Sequence, residues 1–87
     1  KMRGFDLHRI AERVAEVLEL EPDEVFSKGR QNRKVKARSL LCFWASRELG
    51  MSHTDLAKKL EMSTAGIGFS VERGESIAKN GNHLLTD

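Results

Sequence analysis

Ser52, His53 and Thr54 stand together just ahead of an apolar-periodic run. Two hydroxyls and an imidazole beside the free N–H groups of a helix start suit a phosphate oxygen. A second group of the same character lies upstream. Lys28, Arg30, Arg33, Lys34, Lys36 and Arg38 put six cations within residues 28–38. At helical spacing three or four of them reach a common surface, and each phosphate they neutralise releases counterions. The alternative is a solvated charged loop and helix start. That alternative has a physical difficulty, because cations at a helix N-terminus oppose the helix dipole unless an anion compensates. Lys58 and Lys59 add charge further along. Catalytic chemistry has no comparable set. His8, His53 and His83 are scattered, Cys42 is the single cysteine, and neither metal-ligand spacing nor a glycine-rich phosphate loop is present. No cofactor and no metal are expected, and the chain is not expected to be an enzyme by itself.

The elements that must position these residues follow from caps and periodicity. Ser52 is an N-cap, with Asp55 three residues on. Leu56, Ala57 and Leu60 form an apolar edge, and Ala57 is small where helices must cross closely. Ser63 is a second N-cap directly after a short turn, and Met62 pins that turn to the core. Ile67, Ser70 and Val71 face inward on the second helix. This is the pattern of a helix-turn-helix, whose second helix enters the DNA major groove. The turn residue after Leu60 is often Gly, and here it is Glu61. The outward set is Ala65, Gly68, Phe69, Glu72 and Arg73, flanked by Ser63, Thr64 and Gly66. It holds no Asn or Gln and only one Arg, so it is poor in bidentate readers of bases. Thr64, Ala65 and Phe69 can touch thymine methyl groups, while Phe69 can equally cover another part of the protein.

The remainder of the chain reads as helical scaffold. Asp6 caps a first helix expected over about Leu7–Leu20, with Leu7, Ile10, Ala11, Val14, Val17 and Leu18 on its apolar face. Pro22 opens a short helix pinned by Val25 and Phe26. A long helix begins near Gln31–Arg33 and stops at Gly50, a C-cap. It is the most hydrophobic segment, so it is expected at the centre, with Trp44 in the core rather than stacked on a base. The last helix is expected to reach about Lys79, ended by Asn80-Gly81, with residues 82–87 frayed.

The 87 residues suffice for one small domain, residues 1–81. Net charge is +2, which says little, but its distribution is uneven. Residues 1–26 carry seven acids against four bases, whereas residues 27–47 carry seven bases and no acid. Such concentration is the footprint of a nucleic-acid surface. The lone Cys42 lies among apolar neighbours and reads as buried and inert, which fits a reducing, cytoplasmic setting. No apolar run is long enough to span a bilayer, so no membrane partner is expected. The opening Lys-Met-Arg-Gly reads as the edge of a fragment.

Residues 26–71 resemble the C-terminal DNA-binding domain of the bacterial replication initiator DnaA, a helix-turn-helix of Trp-repressor-like type. The matching pieces are Ser27-Lys28-x-Arg30, Ala37-Arg38, Arg47-Glu48-Leu49 and Ser52-x-x-Asp55-Leu56. The chain looks still more like the related domain at the C-terminal end of some REP-associated, IS200-like transposases, where a run similar to Ser70-Val71-Glu72-Arg73-Gly74-Glu75 continues into a closing helix. The resemblance implies that Arg30 enters a minor groove and that Lys28 contacts phosphate. It implies a departure too. The initiator opens its recognition helix with Asp-His-Thr-Thr, and Ser63-Thr64-Ala65-Gly66 stands here, which argues against the initiator's own site. The ATPase modules are absent. With no Tyr in the chain, the transposase nucleophile cannot lie within it.

The expectation is an all-α bundle of about five helices that binds double-stranded DNA, as a module of a transposase-like or initiator-like bacterial protein. The expected contact residues are Lys28, Arg30, Arg33, Lys34, Arg38, Ser52, His53, Thr54, Lys58, Ser63, Thr64, Ala65, Gly68 and Phe69. The rival is a helical protein–protein interaction module without DNA affinity, and self-association stands beside DNA as a partner.

Overall fold

A computed structural model describes residues 6–26 and 32–81. It is all-helical, with no strand among the described residues: α1 (Leu7–Leu18), α2 (Pro22–Phe26), α3 (Asn32–Glu48), α4 (His53–Leu60) and α5 (Thr64–Gly81). The expected frayed tail, residues 82–87, and residues 27–31, where Lys28 and Arg30 are expected in a loop, lie outside the described residues.

Local chemistry sets the helix ends. Asp6 Oδ1 accepts the Arg9 N–H at 2.9 Å and starts α1. The helix stops before Leu20, short of the expected end. Glu19 adopts the left-handed conformation (φ 58°), and the Leu20 N–H turns back to the Ala15 carbonyl at 2.8 Å. This closure satisfies orphan carbonyls and folds Leu20 onto the core. In α2 the Glu24 side chain reaches back to the Glu21 N–H at 3.1 Å, and the acids of its first turn, Asp23 and Glu24, sit where the dipole favours them. Val25 is buried as expected; the side chain of Phe26 is not among those described.

The central helix is α3. Ala37, Ser39, Leu40, Leu41, Cys42, Trp44 and Ala45 are all buried. No helix with a single apolar stripe buries so many consecutive positions, so α3 must be covered on several sides. It packs against α1, α2, α4 and, most extensively, α5. Gly50, at φ 69°, makes the turn after it, and the Leu49 and Met51 N–H groups both return to the Ala45 carbonyl at 3.2 Å.

The α3–α5 crossing depends on small residues. Ser70, Gly74 and Ala78 recur every fourth residue on α5 and are buried. A Cβ on Gly74 would stand 2.6 Å from Phe43 Cβ and closer still to the Ser39 carbonyl oxygen. Only glycine permits that approach. α5 also runs through Asn80 to Gly81, past the expected stop. Buried Ala78 and the Lys79–Glu75 pair at 3.5 Å hold its last turns. A second pair, Arg47–Glu75 at 3.6 Å, ties α5 to the end of α3, where Arg47 also lies over the Phe43 ring, 5.4 Å from its centroid.

Candidate nucleic-acid interface

The α4–α5 hairpin is built by two caps and one strained turn. Ser52 Oγ accepts the Asp55 N–H at 3.1 Å and opens α4. Glu61 closes it in the left-handed region at φ 56°, the conformation for which glycine is the ordinary choice. The departure at this position is therefore one of residue type and not of backbone shape. The Met62 N–H reaches the Ala57 carbonyl at 2.9 Å, which tightens the turn, and Met62 packs against the core. Ser63 Oγ then accepts the Gly66 N–H at 3.0 Å, and its carbonyl takes the Ile67 N–H at 3.0 Å. Leu56, Ala57, Ile67 and Ser70 are buried, and Val71 is half-buried. These inward sides of the two helices match the sequence expectation.

The outward side follows from that registration. Ser52, His53, Thr54, Lys58, Lys59, Ser63, Thr64, Ala65, Phe69, Glu72 and Arg73 are exposed, and Gly68 is half-buried. Two separate stretches of the expected site meet here. The His53 ring lies 3.9–4.0 Å from where a Cβ on Gly68 would stand. The N-terminus of α4 is thus set beside the middle of α5, with the hydroxyls of Ser52 and Thr54 at the same helix end. Lys58 and Lys59 pair with no carboxylate among the described residues and complement the C-terminal dipole of α4. Phe69 is 68% exposed, so it does not cover another part of the described chain.

The basic stretch is less uniform than its sequence. Arg33 pairs with Glu24 of α2 at 2.7 Å. That carboxylate supplies an internal anion against the unfavourable dipole at the start of α3, so the charge run does not need an external one at Arg33. Lys34 and Arg38 are half-buried. Arg38 lies near enough to Cys42 to act on its thiol. Lys36 is exposed and, with Leu18, Asn32 and Arg33, lines a cleft of about 290 Å³ between the end of α1 and the start of α3. Arg33 is therefore tied to α2 at the start of α3. Lys28 and Arg30 lie outside the described residues.

Cys42 is fully buried. Burial pushes its thiol up to about 11, against the opposing pull of the Arg38 charge and a hydrogen bond with Ser70. A thiol held protonated in this way is a poor nucleophile. Among the described residues no group of three or more His, Cys, Asp or Glu side chains could hold a metal ion, and no helix is long and apolar enough to cross a membrane.

Sequence reading passed over the α3–α5 contact. Ser39 is buried with its hydroxyl unpartnered among the described groups, and Gly74 lies over its carbonyl. The available signal was the four-residue recurrence of Ser70, Gly74 and Ala78, small residues on one face of a helix. Compared with known protein families, curated proteins and solved structures, the chain matches none.

Proposed function

We propose that this chain is a binding module for double-stranded DNA, a helix-turn-helix of the Trp-repressor and DnaA C-terminal type. In this reading α5 lies in the major groove, the N-terminus of α4 meets a backbone phosphate, and the basic loop at Lys28 and Arg30 follows phosphates into a minor groove. The module belongs to a transposase-like or initiator-like bacterial protein of the cytoplasm and carries no catalysis of its own.

One observation carries the reading. The N-terminus of α4 stands beside the outward face of α5, with His53 against Gly68. A helix start offers N–H donors and the positive end of its dipole to an anion. A neighbouring helix with small exposed residues can approach bases at the same time. The rival, a protein interaction module, draws on the exposed Phe69 alone.

Fluorescence anisotropy with a labelled random duplex, titrated with salt, tests the reading. Three to five phosphate contacts give a fall in log affinity against log salt of about 0.9 per contact. Arg30→Ala lowers affinity about tenfold or more and relaxes base preference in the minor groove. Lys58→Ala weakens all duplexes alike, since a phosphate contact carries no base information. Tight binding with no salt dependence, or none at low salt, defeats the proposal.

A further inference from the structure

The α5 face holds one large apolar side chain in a setting otherwise made of small and polar groups. Phe69 is the exposed large hydrophobic among the described residues. Ala65, one turn before it on the same face, is exposed as well. Between Thr64 and Phe69 no Arg, Lys, Asn or Gln occurs. Arg73 follows Phe69 by a turn, with Glu72 beside it. A helix with this face has few means of reading base edges by hydrogen bonds. It can, however, read the one apolar group the major groove displays, the C5-methyl of a pyrimidine.

A protein partner fits this face less well. One phenylalanine buries about 150–250 Å², whereas a stable protein interface takes about 800 Å² from each side. The surrounding Ser63, Thr64, Gly66 and Gly68 add little apolar area. The spacing suits a duplex instead. Residues 65 and 69 are separated by about 6 Å along the helix axis, close to two base-pair steps of about 3.4 Å. The start of α4, with His53 beside Gly68 and Asp55 in its first turn, flanks that face.

Resting on the DNA-binding reading above, we infer that α5 selects its site by packing Phe69 and Ala65 against pyrimidine C5-methyl groups, supplied by thymine or by 5-methylcytosine. Phe69 is the specificity-determining residue, and hydrogen-bond readout is secondary.

The test uses duplexes that the full chain selects from a random pool. Each thymine is replaced in turn by deoxyuridine, which keeps every hydrogen-bonding group and removes only the methyl. The expected result is a loss of about fourfold in affinity for each contacted methyl, with an unchanged salt slope. Phe69→Ala keeps the wild-type melting temperature and loses the thymine–uracil difference at the methyl that Phe69 contacts, while a methyl packed on Ala65 keeps its effect. Phe69→Leu keeps most of the difference. In a further arm, cytosine and 5-methylcytosine, each paired with guanine, are compared at the methyl-sensitive positions. Tighter binding there extends the readout to both methylated bases, and no gain assigns it to thymine. Equal binding of thymine and uracil duplexes by the wild type overturns the inference while leaving DNA binding intact. So does a Phe69→Ala variant that keeps the full difference at every methyl-sensitive position. Failure to retain any duplex at low salt removes both readings. A concentration-dependent dimer abolished by Phe69→Ala, with no uracil effect, gives the face to a second copy of the chain instead.

Discussion

Gly74 and Gly68 lie less than two turns apart on α5 and do opposite things. At Gly74 the missing side chain is an internal requirement. The Ser39 backbone and Phe43 Cβ occupy the space a methyl group would need. At Gly68 a methyl would meet only the His53 ring at 3.9–4.0 Å, an ordinary contact. Gly66 is intermediate, with Ser63 Oγ at 3.1 Å and Met62 Cε at 3.5 Å from a Cβ built there. Packing therefore accounts for Gly74 and does not account for Gly68, although glycine costs a helix about 1 kcal/mol relative to alanine at either place. The comparison separates the packed side of α5 from its open side.

The largest expected effect lies on the packed side. Trp44 is 3% exposed in the centre of α3, and Trp44→Ala should cost about 3–5 kcal/mol. For a domain of this size that approaches the whole stability. Urea unfolding followed by circular dichroism measures it, and a cost below about 1 kcal/mol would remove Trp44 from the core. Gly74→Ala comes next, at about 3 kcal/mol, because the overlap involves backbone and cannot be relieved by rotating a side chain. If its unfolding midpoint equals that of the wild type, the close α3–α5 approach is wrong and the two glycines are equivalent.

The smallest effect, and the one that sharpens the contrast, is Gly68→Ala. Folding stability should rise by up to about 1 kcal/mol. If the open side of α5 meets DNA, affinity for a duplex should fall in the same variant, since the added methyl stands between the helix and the groove. A thermal melt and an anisotropy titration on one preparation give both numbers. A rise in stability with unchanged affinity would place Gly68 away from the contact.

Much of the hairpin was legible in advance, for a definite reason. Ser52 and Ser63 cap helices through hydrogen bonds that span three residues, so their partners are always nearby in sequence. The buried edge of Leu56, Ala57 and Ile67 follows from the helical period in the same way. Helix ends were read less well. α1 stops early because Glu19 adopts a left-handed conformation seldom seen outside glycine and asparagine. α5 continues through Asn80-Gly81, where local propensity favours a stop. Ala65, Phe69 and Arg73 are exposed, as the helical period required, whereas the partner of Arg33 could not be read from the basic stretch. Arg33 found Glu24, and charge counting along a chain cannot show which acid folds back onto which base.

By itself, then, the sequence determined five helices in order, the N-caps of α1, α4 and α5, and the inward and outward sides of the hairpin. All of these rest on contacts between residues a few positions apart. Only the tertiary structure decided that Gly74 must be glycine, that Arg33 is neutralised from within and that Phe69 has no cover from the described chain. Each of those depends on where a distant element comes to lie. The position of α3 against α5, or of α2 against the start of α3, is set by the fit of whole surfaces and not by any local pattern.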